Sequence, residues 1–246
     1  MSNLSLLGVG GPVTTGYTQN LIDTNSASGV DGADIALDST FANSAALTFS
    51  IWFDLTTDTI NGARFLDCDS SGGCLVFSNG GGKLDVQIKD SASATVYSSQ
   101  STNVEFSTGT QYHLFIQVDL GVPSLEIKID GVNVTMNANV STITAGTGTL
   151  RSASPMLFNR SANGRQIDGE VADVILDRAA TFSAATLYNS GTPPDLDTVG
   201  SATVKLGGLM TADERDGNTS EGWNDAHSEG TILDSAITVT GTFLDA

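Results

Sequence analysis

At 246 residues the chain is long enough to bury a sizeable core and short enough to form one all-β domain. Ten basic residues against 28 acidic ones give a formal net charge of −18, and six of the acids are Glu, leaving 22 (28 − 6) Asp. Such acidity makes the chain a poor partner for nucleic acid or an anionic membrane, and no stretch reaches transmembrane length. Asp suits turns and loop ends better than helix interiors, which favours strands joined by tight loops. The start, MSNLSLLGVGG, has no basic n-region and only a short apolar run, so the expectation is a chain made in a cytoplasm. The sequons at Asn133, Asn139, Asn159 and Asn218 are then chance matches.

In chain order, residues 1 to about 30 are rich in Gly, Ser, Thr and Asn without a sustained period, and read as an extended arm. Strand material begins at Ala33–Leu37. Leu47, Phe49, Ile51, Phe53 and Leu55 then alternate with Thr48, Ser50, Trp52 and Asp54, the period-two signature of a strand. Ala63–Asp69 and Cys74–Phe77 flank a Ser-Ser-Gly-Gly turn, Lys83–Lys89 alternates again, and Thr95–Ser98 follows. Tyr112, Leu114, Ile116 and Val118 predict a strand with one buried and one wet face. Gly121 and Pro123 break it, and Leu125, Ile127 and Ile129 resume it. Asp130-Gly131 predicts a type I′ hairpin, with Val132, Val134 and Met136 returning as the third strand of a meander. After a Ser/Thr/Gly/Ala loop come strands at 155–160 and 166–176, and one helix over 181–189 with Ser183 as N-cap.

Several of these stretches resemble the laminin-G-like, concanavalin A-like lectin family. Gly109, His113, Asp119, Asp130 and Gly131 are spaced as in its central meander, and Ala46–Leu55 is similar to its "FTISAWV" strand. Pro155–Arg160 resembles "lyIGr", Gln166–Leu176 resembles "fdGeIddVriy", and Thr181–Asn189 resembles the "lsaaeiaaLYn" helix. The resemblance covers roughly Ala33 to Asn189. It implies an all-β fold: a two-sheet antiparallel jelly-roll sandwich with one short helix and N- and C-terminal extensions. The expected divisions are an arm over 1–30, the sandwich over 31–200 and an extension over 201–246 that can pack on it.

Glucanases of this fold carry Glu-x-Asp-x-x-Glu on one strand, because hydrolysis needs two carboxylates facing one groove. Glu105, Glu126 and Glu170 each miss that spacing, Glu170-Val-Ala-Asp173 coming nearest, so no catalytic residues are expected. His113 and His227 lack a nucleophile elbow nearby and read as packing or surface residues. Trp52 interrupts the polar face of its strand, either to stack on a sugar or to pack under a loop. Cys68 and Cys74 sit across a hairpin turn where a disulfide is geometrically open, although reduced thiols are the cytoplasmic default. Asp67, Asp69, Asn79 and Asn159 are the candidate rim-loop binding residues. Relatives often hold calcium at a sandwich edge, but no fixed-spacing calcium loop is present; no cofactor is expected, with calcium the one ion left open.

Three function classes compete, of which the third, an enzyme, lacks its residues. The cytoplasmic start, small-residue loops, acidic surface and two arms resemble bacteriophage laminin-G-like proteins. The leading expectation is therefore a virion structural protein, a capsid decoration or tail-associated component. Its partners would be capsid or tail proteins and further copies of itself. The alternative is an extracellular carbohydrate-binding module that recognises cell-surface glycans.

Overall fold

In the computed structural model the described residues are 22–23, 34–37, 43–55, 63–68, 75–79, 81–137, 142–152, 156–157, 169–194, 199, 202, 204–206, 237–240 and 244–245. They form two antiparallel sheets packed face to face. Reading in chain order, the strands are β1 (Ile22–Asp23), β2 (Asp34–Leu37), β3 (Ala46–Leu55), β4 (Ala63–Asp67), β5 (Leu75–Asn79), β6 (Lys83–Lys89) and β7 (Thr95–Gln100). There follow β8 (Gln111–Asp119), β9 (Ser124–Ile129), β10 (Val132–Asn133), β11 (Met156–Leu157), β12 (Gly169–Asp177), helix α1 (Ala184–Tyr188), β13 (Val204–Leu206), β14 (Ile237–Thr240) and β15 (Leu244–Asp245). The first sheet has the order β10-β9-β8-β3-β12-β1-β15, and β13 also pairs with β12. The second has the order β14-β2-β11-β4-β5-β6-β7.

The inward parity of each strand builds the core. Leu47, Phe49, Ile51, Phe53 and Leu55 of β3 meet Leu84, Val86 and Ile88 of β6 and Leu114, Ile116 and Val118 of β8 in one cluster. Phe53 anchors it, with its ring 4.6 Å from Phe65 and 5.2 Å from Phe106. Each such side chain contributes about 1.5–3 kcal/mol by leaving water. The turn between β9 and β10 is as its sequence predicts. Asp130 and Gly131 have φ of 50° and 74°, the two positive values a type I′ turn needs.

Two expectations need correcting. The third meander strand is only two residues long, because the chain then crosses to the other sheet: Thr102 N–H donates to Thr135 O at 2.8 Å and Asn137 N–H to Gln100 O at 2.7 Å. Residues 132–137 therefore seal one side of the sandwich. The outward faces of β3 and β8 are also drier than their alternation implies. Every residue of β3 is buried, and Phe115 of β8 is wholly so. The cause is a second apolar cluster outside the first sheet, in which Phe115 and Ile175 meet Ala184 and Leu187 of α1, with Val199 and Ala202. Helix α1 starts at Ser183, whose side chain accepts from Thr186 N–H, so the expected N-cap is present.

Candidate functional site

The sandwich has two outward faces, and they differ. On the first sheet the polar positions face the helix layer rather than solvent. Thr48 Oγ1 donates to Ala179 O at 2.6 Å, and Gln117 Nε2 donates to Phe182 O at 2.7 Å. Trp52, Tyr188 and His113 form one aromatic stack there, with centroids 4.9 Å apart for Trp52–His113 and 6.0 Å for Trp52–Tyr188. Trp52 thus packs under the helix end and is only 3% exposed.

Beneath that stack Ser50 Oγ lies 2.8 Å from His113 Nε2. The pair resembles half of a nucleophilic triad, but its setting argues against catalysis. Burial lowers the His113 pKa to about 3, both side chains are shut from solvent, and the nearby Asp130 Oδ1 accepts from the His113 backbone N–H rather than from the ring. Among the described residues, Glu105 and Glu126 do not form a groove pair. Glu126 sits on β9, whereas Glu105 lies in the loop whose backbone bonds Gly82.

The second sheet presents the opposite picture. On β6, Leu84, Val86 and Ile88 turn inward, and Lys83, Asp85, Gln87 and Lys89 are half-buried on the outer side. Ladder register carries that outer face across three more strands. One row runs Gln100, Asp85, Phe77, Arg64, and the next runs Ser98, Gln87, Leu75, Asp67. Gln100 Nε2 donates to Asp85 Oδ2 at 2.9 Å, which orients both groups. Two amides, a carboxylate, a hydroxyl and two ammonium groups thus share a face. Such a set can bond several hydroxyls of one polar ligand.

One end of this face has a built rim. Asp90 Oδ2 accepts from Thr147 N–H at 3.0 Å and its Oδ1 from Ala94 N–H at 2.9 Å, fastening residues 146–149 over the β6–β7 turn. Ser91 Oγ and Thr147 Oγ1 add a contact of 2.9 Å.

Of the four rim residues singled out from sequence, Asp67 is fully buried near the end of β4 and forms an ion pair with Arg64. Asn79 ends β5 at the register position opposite Lys83. Asp69 and Asn159 lie outside the described residues, as does Cys74; Cys68 is buried in the core. Sequence reading missed Asp85, Gln87, Ser98 and Gln100. Their signal was available in the parity of β6 once its inward side was fixed. Among the described side chains there is no group of three or more His, Cys, Asp or Glu arranged to hold a metal, and among the described residues no helix is long and apolar enough to cross a membrane.

A two-sheet antiparallel sandwich with a helix on the outer side of one sheet and partly exposed polar side chains on the outer side of the other has the architecture of a concanavalin A-like fold. The model of the Concanavalin A-like lectin/glucanases superfamily matches residues 27–183, well over half the chain, and the protein belongs to that superfamily. Among solved structures, a Bacteroides ovatus protein provisionally described as carbohydrate binding aligns at 11% identity with a TM-score of 0.55, over 93% of this chain and 61% of its own. The heptameric SAP-like pentraxin of Limulus polyphemus aligns at 15% identity and a TM-score of 0.48, over 69% of this chain and 82% of its own. Domains LG4-5 of the mouse laminin α1 chain align at 13% and 0.44, over 65% and 41%. At these identities the likeness is one of fold alone, and the two scores below 0.5 add nothing to it. Comparison with curated proteins returns no match.

Proposed function

We propose that the protein is a carbohydrate-binding adhesion module that recognises cell-surface glycans through the open face of its second sheet. The asymmetry of the sandwich carries this reading. Helix α1 occupies the outer face of the first sheet, while Asp85, Gln87, Lys89, Ser98 and Gln100 remain partly exposed on the second. Sugar hydroxyls both donate and accept, and amide, carboxylate, hydroxyl and ammonium groups on a rigid ladder meet them with little ordering cost. Membership of a lectin-containing superfamily supports the same reading. The proposed ligand contacts also include Asp69, Asn79 and Asn159, and Asp67 contributes by fixing Arg64. A glycan array probed with the wild-type protein and with Gln87→Ala/Gln100→Ala tests this. Selective binding that the double variant loses, at unchanged melting temperature, supports it; no binding to any glycan, or binding indifferent to the double variant, refutes it.

A virion assembly role is the second reading, and one observation favours it. Strands β14 and β15 are edge strands of their sheets, β15 beyond β1 and β14 beyond β2. Such strands can pair with a neighbouring subunit as readily as with their own sheet. Presence of the chain in purified particles from its source tests that role.

A further inference from the structure

The outer side of the first sheet holds two polar atoms to which the protein offers no partner. Trp52 Nε1 and His113 Nδ1 are both cut off from solvent, and neither makes a hydrogen bond to a protein group. Trp52 is 3% exposed and His113 0%. A buried polar atom left in this condition is costly, and native folds pair nearly all of them.

The two atoms belong to neighbours. Trp52 of β3 stands directly opposite His113 of β8, and their ring centroids are 4.9 Å apart with the planes tilted by 40°. Tyr188 of α1 completes the cluster, its ring 6.0 Å from Trp52 and 5.8 Å from His113. The other nitrogen of His113 is engaged, since Nε2 lies 2.8 Å from Ser50 Oγ. An indole Nε1–H can only donate, whereas one nitrogen of a neutral imidazole accepts. The two orphan atoms are therefore complementary in kind.

We propose that Trp52 Nε1 and His113 Nδ1 bind one internal water molecule, which accepts from the indole and donates to the imidazole. Two hydrogen bonds of about 2.7–3.2 Å, bent at the water oxygen, together span about 5 Å. That span matches the separation of the two rings. Buried waters make about two to four such bonds to groups that would otherwise go unpaired, and they are part of the fold. The assignment fixes a tautomer as well: with Nδ1 accepting, the ring proton sits on Nε2 and donates to Ser50 Oγ. A neutral ring agrees with the burial that lowers the His113 pKa to about 3. The water ties β3 to β8 beneath the end of α1. It lies on the sheet opposite the glycan face and stands whether or not that reading holds.

Nuclear magnetic resonance on the full chain at neutral pH tests this directly. The chain has two Trp and two His, so Trp223→Phe and His227→Gln assign the signals of Trp52 and His113. The Trp52 Hε1 proton should show an Overhauser cross-peak to water, with the sign of a molecule that stays bound longer than the protein takes to tumble. Long-range proton–nitrogen spectra should show His113 protonated on Nε2 and bare on Nδ1. Ser50→Ala and Tyr188→Phe remove the nearby hydroxyls that could relay exchange with water, and the cross-peak should persist in both. Circular dichroism confirms that each variant is folded; if one is not, the wild-type tautomer decides. Absence of the cross-peak, its loss with either hydroxyl in a folded variant, or a proton on Nδ1 overturns the site.

Discussion

The ring of Tyr188 occupies the space a side chain at position 131 would need: a Cβ on Gly131 would come within 2.7 Å of Tyr188 Cδ1. Gly131 also has φ of 74°, where L side chains are strained. The hairpin turn and the helix end are therefore fitted to each other. Gly131→Ala should destabilise the fold by about 2 kcal/mol or more, from strained backbone plus overlap. Tyr188→Ala should relieve only the overlap, so the double variant should cost less than the sum of the singles. Urea denaturation of the four proteins checks this coupling.

A second expectation concerns acid. His113 titrates near 6.5 when unfolded and near 3 when folded, because burial disfavours its charged form. The unfolded chain then binds the proton first. The stability drawn from neutral His113 is complete above pH 6.5 and is lost as pH falls toward 3. Burial raises the pKa of Asp54, Glu105 and Asp130, so these act with the opposite sign, adding stability as pH falls through their raised values. The difference between wild type and His113→Asn isolates the histidine. Unfolding free energies from pH 7 to pH 5 should decline more steeply in the wild type; parallel curves would contradict a buried neutral imidazole.

Much of the fold was legible in the sequence because its strands obey one rule. Where apolar residues alternate over a long run, as from Leu47 to Leu55 or Leu84 to Ile88, a strand with that inward face is present. Asp130-Gly131 and Ser183 were legible for the same reason, since only a few residue types tolerate or perform those local roles. The closed outer face was harder to read. Phe115 breaks the polar parity of β8 between His113 and Gln117, a single apolar residue whose partners on α1 lie some seventy positions away. The candidate site was harder still. A binding face built from Gln100, Asp85 and Arg64 depends on ladder register across β4 to β7, and bulges in β4 and β7 pairing shift that register. Local pattern gives the outward side of Asp85 and Gln87 on β6, but not which residues of the neighbouring strands stand beside them.

The rim near the β6–β7 turn depends on one carboxylate. Asp90→Ala should free the amides of Thr147 and Ala94 together, costing about 1–3 kcal/mol. Hydrogen exchange should rise in residues 146–149 well before the β3–β8 core. Unchanged exchange in that loop would contradict a loop fastened by the Asp90 carboxylate.

Removal of the helix cover offers a contrast between the two faces. Leu187→Ala should cost about 2–5 kcal/mol, since Leu187 is 1% exposed in the cluster with Phe115 and Ile175. Glycan binding by the folded fraction should be unaffected, because the open face lies on the other sheet. Loss of binding in proportion to folded protein, and no more, is the expected outcome of a titration monitored by calorimetry.

Backbone amide shift mapping with a glycan selected from the array tests the central claim most directly. A glycan-binding second sheet requires the largest changes at Asp85, Gln87, Lys89, Ser98 and Gln100, with Leu114–Val118 and Ala184–Tyr188 unmoved. Shifts centred on α1 and the outer side of β8, with β6 and β7 silent, would contradict it.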